Sequence, residues 1–267
     1  MHKIVKHIPN AITSLNLLCG ALGVVCVAVF RRPDLAFCLM LAGACFDFCD
    51  GLSARALGAY SPMGKELDSI ADMVSFGLLP SLMLLMEMFK NMSVGVEAQN
   101  PDPSTLLGAM WEAHGAGMLL MAVPLVIAVF SGLRLAKFNI DERQSSSFIG
   151  LATPANAMIC GSLSYIMVAS PDCALAQFCR IPWVIPAISL VLSLLLVSEI
   201  PMFAMKFHKG EGMSRDMVLR IIFGVVALTW LVLTVIFGWA WPVVLLGTFT
   251  SYIIINLINA CLLKLAA

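Results

Sequence analysis

The sequence predicts an all-α, polytopic integral membrane protein with about eight transmembrane helices, on three observations. Sixty per cent of the residues are hydrophobic and only 12% are charged, with a mean hydropathy of +0.95, a balance far from that of soluble domains. The apolar residues gather into runs of about twenty, long enough to cross ~30 Å of hydrocarbon as helix. The charged residues fall mostly in the gaps between those runs. A net charge of zero argues against a nucleic-acid partner.

In chain order, the basic start MHKIVKHIPN reads as an anchor rather than a cleavable signal, because the apolar run after it is too long and lacks a small-residue cleavage site. Membrane helices are expected over 11–30, 35–57, 66–89, 116–138, 150–170, 181–200, 218–238 and 240–263. With the N-terminus cytoplasmic, twelve basic residues lie on that side and four (Arg31, Arg32, Lys90, Arg180) on the other. The bias places both termini in the cytoplasm. The longest polar insertion, between the third and fourth runs, reads as an outer loop with a short interfacial helix around Leu106–Trp111. His114 in it has no second ligand at metal spacing and reads as a solvated loop residue. The nine cysteines are scattered, without a CxxC pair, and mostly act as small hydrophobes. Cys173 and Cys179 share an outer loop, where pairing is left open. No repeat or low-complexity segment divides the chain, so 1–267 is expected to be one membrane-embedded domain.

One stretch breaks the apolar pattern. Asp47 and Asp50 are three residues apart and Asp68 and Asp72 four apart, so each pair projects from one face of a helix. The GAYSPMG segment between them supplies a bend that folds the two helices together. A carboxylate in hydrocarbon costs at least ~2.5–3.5 kcal/mol. Four clustered ones also repel, so they require protonation, basic partners or cations. An all-oxygen cluster suits hard ions such as Mg²⁺ or Mn²⁺. The small residues Gly51, Ala54 and Gly64 let a bulky anionic ligand approach the helix backbone closely.

Two further groups carry two readings each. Arg134 and Lys137 share a face at the cytoplasmic end of the fourth helix, as snorkelling anchors or as a clamp for phosphate or carboxylate. Asn10 and Thr13, with Asn16 a turn on, either bond neighbouring helices or line a ligand pocket. Gly150, Pro154 and Asn156 interrupt the next apolar run, an irregularity tolerated where backbone lines a cavity. Lys206, Lys209 and Arg215 form a basic loop suited to orientation or headgroup contact.

Written as D-x-x-D-G-x-x-A-R-x8-G-x-x-x-D-x-x-x-D, the aspartate stretch resembles the signature of the CDP-alcohol phosphotransferases, with all eight fixed positions met: Asp47, Asp50, Gly51, Ala54, Arg55, Gly64, Asp68 and Asp72. IPNAITSLN, LDSIADMVSFGLLPS, GLRLAKFN and FIGLATPANA are similar to segments of the bacterial phosphatidylserine synthases of that superfamily. The likeness covers roughly residues 8–160. Ala152 departs from the proline more usual in the family's Gly-Leu-Pro-x-Pro string, which bears on substrate rather than reaction class.

The resemblance implies a six-helix core over about 8–200, with 218–263 as additional scaffold. It implies two divalent cations (Mg²⁺ or Mn²⁺) on Asp47, Asp50, Asp68 and Asp72, with Asp72 also the general base. Gly51, Ala54, Arg55, Gly64 and Asp68 would bracket the CDP moiety, joined by Asn10 and Thr13, and Arg134 and Lys137 would hold the serine carboxylate. The implied substrates are CDP-diacylglycerol and L-serine, in a homodimer of the bacterial inner membrane with its active site on the cytoplasmic side. Glycerol 3-phosphate, inositol, inositol phosphate or choline as acceptor would use the same chemistry. A transporter would show a second copy of the acidic pattern, and none is present. An intramembrane prenyltransferase would carry its two acidic motifs on distant helices. Acids serving only as helix glue do not explain four on adjacent helices.

Overall fold

The computed structural model describes residues 7–94, 96–99, 102–140, 148–203 and 215–266. All eight apolar runs are helical, and six helices among the described residues are long and apolar enough to cross a membrane. The molecule is therefore a multi-pass membrane protein. Helix α1 is Ile8–Ala28 and α2 is Pro33–Leu57. α3 runs unbroken over Pro62–Ser93, with a π-helical segment at Met73–Leu78. α4 is Leu125–Ile140, α5 Thr153–Ala169, α6 Val184–Val197, α7 Arg215–Phe237 and α8 Pro242–Ala266.

The expected count of eight spans is met by six among the described residues, the fourth of them the continuous helical stretch Thr105–Ile140 that ends in α4; α5 and α6, at 17 and 14 residues, are short of the ~20 that a bilayer needs. α5 is walled in by α2, α3 and α8. Most of its side chains are buried, including Asn156, Ser162 and Ser164. A helix enclosed by protein does not need a full lipid-facing length. Before it, Phe148–Ile149 (β1) pairs antiparallel with Pro201–Met202 (β2), a two-residue ladder that closes the connection over the end of α6. Gly150 makes this turn with φ 77°, and a Cβ there would lie 2.7 Å from the Leu196 carbonyl oxygen. Only glycine fits both demands.

The run expected to be one helix over 116–138 is split. Gly115–Ala122 is 3₁₀-helical and α4 starts only after Pro124. Proline lacks an N–H and disfavours helical geometry in the residue before it, so the α-helix restarts beyond it. The helix expected around Leu106–Trp111 covers Pro103–His114, longer than expected, and buries Leu106 and Met110. His114 is exposed, with Nε2 2.8 Å from the Met92 carbonyl oxygen. Cys173 and Cys179 are both free thiols. Cys173 Sγ instead accepts the Ala176 N–H at 3.4 Å, capping the short helix Ala174–Cys179. Lys206 and Lys209 lie outside the described residues.

Two apolar clusters hold the bundle. Phe37, Met40, Phe76, Leu79 and Met83 interlock α2 with α3, under Val27 of α1. Leu151, Ile159, Cys160, Ile185 and Leu196 join α5 and α6 under Tyr252 and Ile253 of α8. α7 turns Val225, Leu228, Val232 and Val235 outward, as a lipid-facing helix does.

Candidate active site

The site is made by one helix stop and one helix start. α2 ends at Gly58, whose φ of 59° is the left-handed geometry of a helix C-terminus. Three residues later Ser61 caps α3, its hydroxyl accepting the Gly64 N–H at 3.0 Å, with Pro62 in the first helical position. α3 thereby turns back, and α1 packs against both α2 and α3. Asp47 and Asp50 near the end of α2 then meet Asp68 and Asp72 near the start of α3.

Asp47, Asp50 and Asp68 each offer an oxygen, and the three oxygens lie within 4.8 Å of one another. Oxygen ligands sit ~2.0–2.6 Å from Mg²⁺ or Ca²⁺-sized ions, so one ion placed between them reaches all three. The trio could hold a metal ion. Asp72 stands outside the trio but lies against Asp47, within electrostatic reach of Asp68 and Arg134. Its Oδ1 is buried and accepts no hydrogen bond. A buried carboxylate oxygen without a donor is costly unless something positive meets it, so this orphan also fits a cation centre. Asp50 is 6% exposed and receives the Thr13 hydroxyl at 2.5 Å. The same hydroxyl is 3.0 Å from the Pro9 carbonyl oxygen, so α1 fixes the orientation of Asp50.

Beside the carboxylates opens a cavity of about 540 Å³. Asn10, Thr13, Gly51, Ala54, Gly64 and Asp68, all expected to contact the nucleotide, line it. Arg55 does not; its Nε donates to the Gly51 carbonyl at 2.9 Å and the side chain sits exposed nearby. A Cβ on Gly51 would meet only Arg55 Nη2, at 3.8 Å, so the wall there is open to a ligand. Gly64 differs: a Cβ would fall 2.8 Å from Asn10 Oδ1, so this glycine admits the Asn10 carboxamide. Tyr60, Ser61 and Lys65 also line the cavity and were not expected. The Ser-Pro pair of a helix start was the signal for Ser61.

Arg134 and Lys137 part company. Arg134 is 8% exposed and donates to Thr153 Oγ1 at 2.8 Å. Lys137 is half-buried, with Nζ 3.7 Å from Glu199 Oε1 beyond α6. Between them and the carboxylates runs a tie the residue spacing did not disclose. Lys65 Nζ donates to the Asn139 carbonyl at 3.0 Å, and Asn139 Nδ2 donates to Ser69 Oγ at 2.8 Å. The end of α4 is thus fastened to α3 at Lys65 and Ser69, on either side of Asp68. The π-helical segment after Asp72 was also missed; its wider turn lets Ser75 donate to the Asn16 carbonyl at 3.0 Å.

The model of the CDP-alcohol phosphatidyltransferase family matches residues 6–198. A CDP-diacylglycerol–serine O-phosphatidyltransferase of Bacillus subtilis is 30% identical over 213 residues, covering 78% of this chain and 97% of that protein. Proteins of the same name from Mycobacterium leprae and Helicobacter pylori are 32% and 28% identical, over 73% and 57% of this chain. The chain spans 57% and 54% of the length of those two relatives. With the signature aspartates brought together beside a cavity, and the match extending over most of its length, the chain belongs to the CDP-alcohol phosphatidyltransferase family.

Proposed function

We propose that the protein transfers the phosphatidyl group of CDP-diacylglycerol to the hydroxyl of L-serine, giving phosphatidylserine and CMP. The observation that carries this reading is the trio of carboxylate oxygens within 4.8 Å of one another, set at the edge of a cavity lined by signature residues. The serine acceptor is supported by the shared name of relatives from several bacteria.

In this reading Asp47, Asp50, Asp68 and Asp72 would hold two Mg²⁺ or Mn²⁺ ions, whose charge would offset that of the diphosphate and of the leaving phosphate. Thr13 keeps one Asp50 oxygen oriented by its hydrogen bond and leaves the other free. Gly51 and Ala54 let the CDP moiety lie close to α2, with Asn10 and Gly64 on the opposite wall and Arg55 at the margin as a planar phosphate partner. Asp72 orients the serine hydroxyl and accepts its proton. The bond from serine Oγ to the lipid phosphorus forms as the bond from that phosphorus to the bridging diphosphate oxygen breaks. CMP leaves with that oxygen and its electron pair. Arg134, fixed by Thr153, holds the serine carboxylate, with Lys137 supporting at the margin.

The reaction centre lies within 8–200, with α7 and α8 as scaffold. In this reading the α2–α3 turn faces the cytoplasm from a bacterial inner membrane, with both termini on that side and a homodimer as the functional unit; the twelve-to-four bias of basic residues supports the orientation. The test is CMP release by the full chain in nanodiscs containing CDP-diacylglycerol and Mn²⁺, with each alcohol offered in turn. CMP is expected with serine alone. Release with glycerol 3-phosphate or inositol and none with serine would remove the serine assignment and leave the family chemistry standing.

A further inference from the structure

The inference concerns Asn16, and it rests on the reading of the aspartates as a cation centre. Asn16 lies in the middle of α1, 0% exposed, and neither its Nδ2 nor its Oδ1 has a hydrogen-bond partner. An unsatisfied carboxamide at membrane depth is costly, so packing alone does not explain its presence.

Its position follows from contacts on all three helices. On α1 it is one turn beyond Thr13, which holds Asp50. On α2 its Oδ1 faces Gly43, one turn beyond Asp47, where a Cβ would come within 2.8 Å. On α3 its carbonyl takes the hydroxyl of Ser75, three residues beyond Asp72. Asn16 therefore sits one helical turn, ~5 Å, below the carboxylates, as the floor of the cluster. Asp72 Oδ1, on the carboxylate layer above, is likewise buried without a donor, an acceptor that matches the unpaired Nδ2 donor of Asn16.

We infer that Asn16 is a positioning residue of the reaction centre, its Nδ2 donating to the Asp72 carboxylate when cations occupy the cluster. It touches neither substrate; it fixes which way Asp72 turns. Partners that orient a ligating carboxylate characteristically matter by ~10- to 100-fold in ion affinity or rate when removed.

The test uses the full chain in nanodiscs and reads Mn²⁺ binding from the electron paramagnetic resonance of the free ion, alongside CMP release and thermal midpoint. Asn16→Leu swaps the carboxamide for an apolar group of similar size, and Asn16→Ala guards against overpacking at Gly43. Ser162→Ala, a buried and equally unpartnered hydroxyl on α5, is the matched control. Both Asn16 variants are expected to bind Mn²⁺ about ten- to hundredfold more weakly or to lose kcat by that factor. KM for serine should stay within about twofold and the apo midpoint should be unchanged or higher, since an unsatisfied polar group is removed. Mn²⁺ affinity and kcat within about twofold of the unsubstituted protein in both variants would overturn the inference alone. An equal loss in Ser162→Ala would overturn it too, as a packing effect. No Mn²⁺ binding by the unsubstituted protein would overturn the cation reading and this inference with it.

Discussion

Two of the molecule's cavities are opposite in character. One, about 920 Å³, lies among α5, α6, α7 and α8 and is walled by residues such as Leu163, Val191, Trp230 and Trp239, with no charged side chain on it. The other, about 540 Å³, sits where α1 meets the α2–α3 turn and is edged by carboxylates. The larger space is a gap between apolar helices, with almost nothing on its walls to form a hydrogen bond. The smaller one holds groups whose presence in a membrane protein has to be explained. Size therefore misleads here, and what sets the smaller cavity apart is the pair of carboxylates, Asp50 and Asp68, on its wall.

That contrast can be broken by experiment. The largest effect should come from chelation: EDTA is expected to abolish CMP release, and excess Mn²⁺ or Mg²⁺ to restore it, in a coupled CMP assay. Activity persisting in EDTA would dissolve the difference between the two cavities. Asp72→Asn should lower kcat by ~10²–10⁴, while binding of CDP-diacylglycerol, followed by a fluorescent analogue, stays within a few fold. Full turnover in that variant would exclude Asp72 as the base. Asp50→Asn removes a carboxylate from the trio, so its signature is a Mn²⁺ affinity ~10- to 100-fold weaker in a metal titration. Arg134→Ala should raise KM for serine by about tenfold, and Lys137→Ala by about threefold or less, because an exposed ion pair contributes little. Steady-state kinetics separates the two, and the reverse order would relocate the carboxylate clamp.

The smallest effect on turnover belongs to the apolar cavity. A Cβ on Gly247 of α8 would strike the Trp230 ring of α7, so Gly247→Ala should cost about 1–3 kcal/mol of stability through overpacking. Its kcat should remain within about twofold. A thermal melt paired with the CMP assay checks both, and a large loss of kcat without destabilisation would give that region a part in the reaction.

Much of this organisation is legible in the sequence because membrane insertion and charge are both local signals. Long apolar runs mark helices whatever their neighbours do. Four aspartates interrupting such runs stand out because each is costly there, and their three- and four-residue spacing already puts each pair on one helix face. Less legible is whatever depends on which helix lies beside which. α5 and α6 read as full spans from hydropathy, since only the assembled bundle shows that α5 is enclosed. Arg134 and Lys137 look equivalent along one helix face, yet one turns toward Thr153 and the other toward Glu199. Gly64 reads as room for a ligand, and only packing reveals Asn10 in that space. Asn16 looks like ordinary helix glue until its carboxamide is found without any partner to bond. The π-helical turn after Asp72 has no periodicity signature of its own, because a single widened turn shifts the pattern by one residue.

In the proposed function, the carboxylates of α2 and α3 survive at this depth because cations shared with a nucleotide diphosphate neutralise them. Anomalous diffraction from crystals grown with Mn²⁺ and CDP tests it most directly. The account predicts an anomalous peak bonded to Asp47, Asp50 and Asp68, with the diphosphate against it and the nucleoside in the cavity beside Gly51. Crystals with CDP bound elsewhere, or with no manganese among those three carboxylates, would contradict it.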